Sequence, residues 1–296
     1  GDEGAPTIVV EPVSQTVGVG SNATFSVSAN GNNLSYQWYQ RTSSSASWSA
    51  ISGATSTSYT VYAYASYNGY QYRCVVRNNN GSVTSSAATL TSISAPTITS
   101  NPSNASVVVN NNAVFTVAAS GIDISYQWQC RTSSSGSWAN ISGATNTSYS
   151  VTATANNNGY QYRCIVSNLG GSATSGIATL TSISAPTITT QPANQTVSVN
   201  YTATFSLVAS GYNLSYQWYQ RTSSSASWTS ISGATSSSYS LTGTSSNSGY
   251  QFRCIVTNAA GTATSNTVTL TAVTSPVITK HPEDVVQADG IRATFT

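Results

Sequence analysis

Leu34-Ser-Tyr-Gln-Trp-Tyr-Gln and, later in the chain, Asn68-Gly-Tyr-Gln-Tyr-Arg-Cys decide how this sequence folds. In the first stretch Leu34, Tyr36 and Trp38 fall on one side of an extended chain; in the second, Tyr70, Tyr72 and Cys74, followed by Val76, do the same. Period two with one apolar side predicts half-buried strands. Ala23-Thr-Phe-Ser-Val-Ser-Ala repeats the pattern through Ala23, Phe25 and Val27. Further strands fit residues 58–61, 81–86 and 87–91, with Gly31, Gly53, Gly69 and Gly81 supplying turns. No stretch carries a helical period. About seven antiparallel strands in such a length predict two packed sheets.

The whole pattern recurs every 90 residues without insertion or deletion. Trp38, Trp128 and Trp218 keep the step, as do Trp48, Trp138 and Trp228, and Pro6, Pro96, Pro186 and Pro276. The expected domains are residues 5–94, 95–184 and 185–274, followed by the opening strands of an incomplete fourth copy at 275–296. There Ala293-Thr-Phe-Thr repeats Ala23-Thr-Phe-Ser. Two strands of a sandwich do not fold alone, so the sequence is expected to be a piece of a longer array. Equivalent copies in a row suit reach and avidity, whereas chemistry needs one asymmetric site.

A Trp on the third strand and Asn68-Gly-Tyr-Gln-Tyr-Arg-Cys late in the unit resemble the immunoglobulin-fold signature. The wording is closer still to bacterial immunoglobulin-like tandem repeats of large cell-surface and secreted proteins. Those open on a Pro-x-Ile-x-x-x-Pro phrase, as at Pro276-Val-Ile-Thr-Lys-His-Pro, and carry an Ala-Thr-Phe second strand and a Tyr-Gln-Trp third strand. The resemblance implies an all-β chain of tandem sandwiches arranged as an elongated rod. It places Trp38, Tyr72 and Cys74 in the first core, Trp128, Tyr162 and Cys164 in the second, and Trp218 and Cys254 in the third. Where the vertebrate form has its partner Cys this chain has Phe25, Phe115 and Phe205, so the resemblance implies buried thiols and no inter-sheet disulfide. It also implies a corner hydrogen bond from the Tyr two residues before the Cys. Phe252 in the third copy would lose that bond, at a cost of about 1 kcal/mol. Cys130, where the other copies have Gln40 and Gln220, is read as a free thiol, with an intrachain bond to Cys164 or a link between chains as the alternatives.

Composition removes most other functions. Only 5% of residues are charged, against roughly 25% in an average soluble protein. Between Pro12 and Thr279 stand seven arginines, no lysine, no histidine and one acid, Asp123. That is too dilute for a nucleic-acid groove. General acid/base catalysis needs a carboxylate pair, a His or a tuned Lys, and the three copies offer two carboxylates, Glu11 and Asp123, each alone in its own copy. Calcium, zinc and Lys–Asn isopeptide chemistry lack their residues as well, so no cofactor and no enzymatic activity are expected. No apolar run is long enough to span a bilayer. Nine Asn-x-Ser/Thr sequons, close to chance in such a composition, allow glycosylation without requiring it.

Surface recognition is what remains. Tyr39 and Arg41 should point outward from the third strand and Arg73 from its neighbour, a face that recurs at Tyr219, Arg221 and Arg253. The bland reading, an ordinary cross-strand ladder, is the stronger one. Trp48 and its equivalents precede Ile51 at fixed spacing and are expected to cap the core. Short joints such as Ser94-Ala-Pro-Thr-Ile favour a stiff connection between domains. The expected function is an extracellular or cell-surface stalk, part of an adhesin, whose first partners are further repeats of the same chain. The rival readings are a module binding host glycans or proteins, and a fibre subunit that pairs with copies of itself through residues 276–296.

Overall fold

The computed structural model of the chain describes residues 4–286 and 288–294. It divides into two compact units, Gly1–Ser182 and Ile183–Thr296. The first holds two β-sandwiches and the second holds one, and among the described residues there is no α-helix.

The first sandwich shows how the pattern is used. Its strands are β1 (Thr7–Val10), β2 (Gln15–Gly18), β3 (Asn22–Ser26), β4 (Ser28–Asn30), β5 (Ser35–Arg41), β6 (Ser49–Ala50), β7 (Ser58–Tyr62), β8 (Gln71–Asn78), β9 (Gly81–Thr84) and β10 (Ala88–Ile93). One sheet runs β2-β10-β8-β5-β6, with β9 also on β8. Opposite it, β3 pairs with β7 and β4 with β1; β3 and β4 are one strand interrupted at Val27, whose N–H donates to Thr57. β2 is the parallel partner of β10, Gly18 lying against Ile93. That short edge strand and β1 are not evident in the sequence pattern. A 3-10 turn at Ala65–Tyr67 joins β7 to β8.

The inward positions of the two sheets meet in a dry core. Trp38, Phe25, Tyr72, Cys74 and Leu90 are wholly buried, and the Trp38 indole N–H, which could not be left unpaired there, donates to the Ser56 carbonyl at 2.9 Å. Phe25 stacks on Tyr72 with ring centroids 4.7 Å apart. The second and third copies repeat this with Phe115 on Tyr162 and Phe205 on Phe252. Cys74 faces Trp38 across β5 and β8, and its amide is held by the Ser85 hydroxyl at 2.9 Å.

Within the first unit the two sandwiches meet backbone to backbone. A β-carbon on Gly18 would fall on the Leu169 carbonyl oxygen, and one on Gly170 would fall on the Ile93 carbonyl oxygen and lie 2.7 Å from the Ala95 nitrogen. Neither glycine has a positive φ. Space, not backbone conformation, is what each supplies. Asn168 secures the entry of the second sandwich by donating to the Ser94 and Ile122 carbonyls, at 2.9 and 3.0 Å.

In the second unit, Asn258 holds the Ser184 carbonyl in the same way. Past Val273 the described residues form no strand and are exposed. Phe295 and Thr296, which the repeat aligns with Phe25 and Ser26, lie outside the described residues.

Candidate functional site

The face built on β5 and β8 is closed on itself. Tyr39 lies opposite Arg73, and Arg41 opposite Gln71. The short strand β6 pairs with Tyr39 and Gln40 at the edge, which brings the preceding Trp48 over the outer surface. There the guanidinium carbons of Arg41 and Arg73 lie 4.4 and 4.3 Å from the centre of its indole. The expectation that Trp48 caps the core is therefore corrected. Trp48 and Ile51 are an odd number of positions apart, so an extended segment sends them to opposite faces, and only Ile51 packs on the core. The same stack recurs as Arg131 and Arg163 on Trp138, at 4.6 and 4.3 Å, and as Arg221 and Arg253 on Trp228, both at 4.5 Å.

A polar ladder ties this cluster to the sheet. Arg41 Nε donates to Gln71 Oε1 at 2.8 Å, and Gln71 Nε2 donates to the Thr89 hydroxyl at 3.0 Å, linking β5, β8 and β10. Arg131, Gln161 and Thr179 repeat it, as do Arg221 and Gln251 for its first link. Gln37 donates to both the Trp38 and Ile51 carbonyls, clamping the segment that carries Trp48. Tyr39, Arg41, Arg73, Tyr219, Arg221 and Arg253 are all half-buried.

The copies differ at one point. Arg163 Nε donates to Gln129 Oε1 at 2.8 Å, and Gln129 in turn donates to Asn140. Tyr39 and Tyr219 stand where Gln129 does and cannot accept in that way. The buried Nε atoms of Arg73 and Arg253 have no partner. Trp48 is the member of this face that strand alternation alone did not bring to it.

The cysteines are free. Cys130 lies opposite Tyr162, while Cys164 lies opposite Trp128, so the alternative of a Cys130–Cys164 bond is not realised. The Tyr162 hydroxyl and the Cys130 thiol are neighbours, and burial raises the pKa of both. Burial pushes the Cys74 and Cys254 thiols up to about 11, and raises those of Cys130 and Cys164 as well. The Tyr72 hydroxyl, which the resemblance gave a corner hydrogen bond, is buried with no partner. Phe252 therefore forfeits nothing relative to Tyr72, and the expected penalty in the third copy is withdrawn. Among the described residues no three His, Cys, Asp or Glu side chains come together as a metal site, and no helix is long and apolar enough to cross a membrane.

No protein-family model matches the chain. The titin I-band fragment I67–I69 superposes with a TM-score of 0.54 at 15% identity, over 91% of this chain and 99% of that one. A Glu-to-Ala variant of the same three titin domains gives 0.53 at 16% identity, with the same coverage. The fold is that of tandem immunoglobulin-like domains. In sequence, 144 residues are 38% identical to part of endoglucanase C from Cellulomonas fimi, a match that takes in 48% of this chain and 13% of that protein.

Proposed function

We propose that this chain is a non-catalytic spacer, a run of interchangeable immunoglobulin-like sandwiches that sets the distance between other parts of an extracellular protein, as in the stalk of a bacterial surface adhesin. One observation carries the reading. In all three copies the charged side chains of the sheet face are engaged within it, two arginines on one indole and an Arg–Gln pair across the strands. An indole lined by guanidiniums has little open ring left for a sugar or a protein side chain. The likeness to endoglucanase C supports the same reading, because it is confined to a small part of a much longer protein. A secreted polysaccharide-degrading protein is accordingly a second setting for such a spacer, beside an adhesin.

A spacer depends on length and not on surface. Replacing residues 95–184 in the parent protein with an unrelated disulfide-free sandwich of equal length should leave the parent's binding or catalytic activity unchanged. Loss of that activity, with the replacement domain folded, would mean that the second copy recognises something itself.

A further inference from the structure

The first copy departs from the other two at one end of the sandwich, in the connection from β7 to β8. Tyr62, Tyr64, Tyr67 and Tyr70 form a continuous ladder there, with successive ring centroids 4.7, 5.2 and 4.6 Å apart. Tyr67 and Tyr70 pack on the core and anchor it. Tyr62 and Tyr64 stand out into solvent, 47% and 53% exposed. At the first three positions the second copy has Thr152, Thr154 and Asn157, and the third has Thr242, Thr244 and Asn247.

The connection does not need tyrosines to form. In the second copy Asn157 Oδ1 accepts from the Thr154 N–H at 2.8 Å and Asn157 Nδ2 donates to the Thr152 carbonyl at 2.9 Å; Asn247 does the same with Thr244 and Thr242. The exchange also has a cost. Ser182 Oγ donates to Asn157 Oδ1 at 2.9 Å, whereas its counterpart Ser92, facing Tyr67 in place of the Asn, keeps a buried hydroxyl with no partner. A side-chain set that exposes two rings and orphans a buried hydroxyl, where Thr and Asn suffice, is not explained by folding of the loop.

We propose that this ladder is a binding site for a neutral glycan chain, present in the first copy and absent from the others. Phenol rings offer flat apolar surface to the C–H face of a pyranose and hydroxyls to its equatorial oxygens. The stretch from Thr42 to Tyr72, which contains all four rings, has no charged side chain of its own, which favours a neutral ligand over an ionic one. The site is distinct from the Arg–Trp face and leaves the other copies free to act as spacers.

The test is retardation of the 1–296 chain in native gels containing hydroxyethylcellulose, galactomannan or dextran, with polygalacturonate as the acidic contrast. Retardation by at least one neutral polymer is expected. It should weaken about tenfold in Tyr62→Thr/Tyr64→Thr, which installs the residues of the other copies. Tyr67→Asn, which removes the ladder's anchor, should weaken retardation as well. No retardation by any neutral polymer, retardation by polygalacturonate alone, or equal retardation of the folded double variant would overturn the proposal.

Discussion

At the position two residues before the late cysteine, three copies give three chemical outcomes. Tyr162 sets its hydroxyl beside the Cys130 thiol, Tyr72 buries a hydroxyl with no partner, and Phe252 has no hydroxyl to place. Tyr72→Phe should therefore stabilise the first domain by about 1 kcal/mol, read as a shift of its urea midpoint at unchanged slope; a loss of stability would reveal a partner for the hydroxyl. The thiols supply the pH dependence. Cys74 and Cys254 hold their protons to about 11 when folded against an ordinary value of 9.0, so between these values the unfolded chain binds fewer protons than the native one. Stability is then complete below about pH 9 and falls as the pH rises toward about 11. Urea midpoints measured from pH 8 to 10.5 should decline, and replacing both thiols with Ala should make the decline shallower, the remainder coming from Cys130 and Cys164; a decline of the same size without them would assign the effect elsewhere.

At the scale of strands, the second copy has solved a problem that the first and third have not. Gln129 accepts from Arg163, whereas Tyr39 and Tyr219 leave the equivalent Arg73 and Arg253 Nε atoms unpaired. Tyr39→Gln should stabilise the first domain by about 1 kcal/mol, and adding Arg73→Lys, which cannot reproduce the planar fork, should remove the gain. No change for Tyr39→Gln would mean that water already satisfies Arg73. The inward set Trp38, Tyr72 and Cys74 is legible because strict alternation against a polar face admits one orientation. Trp48 is not, because its neighbours form a strand of only two residues and its partners, Arg41 and Arg73, come from two other strands. β2 escapes for a related reason. It is four residues long, and its parallel pairing with β10 is set by a partner 75 positions away. The tyrosine ladder follows no period at all, since it runs along a connection and depends on a 3-10 turn.

Over the whole molecule, the exact 90-residue period carried the tandem organisation, since each unit has its own Trp-centred core. The joint between the first two sandwiches was hidden, because a glycine at ordinary φ gives no sign of the backbone pressed against it. Ala260 occupies Gly170's place in the third copy with the same Asn side chain holding its amide, at 2.9 Å from Asn258 against 2.8 Å from Asn168, so Gly170→Ala should spare the turn and open the joint. Residual dipolar couplings of the first and second sandwiches should fit one alignment tensor in the wild-type chain and two in the variant; one shared tensor in both would show that the glycine does not close the joint. The central claim, that the chain is a spacer of self-sufficient sandwiches held by packing without covalent staples, is tested most directly by pulling residues 1–296 end to end in an optical trap under reducing and non-reducing conditions. Three unfolding steps are predicted, each releasing about 300 Å from a 90-residue repeat, reversible and the same in both conditions. Fewer steps, or steps that lengthen when reductant is added, would contradict it.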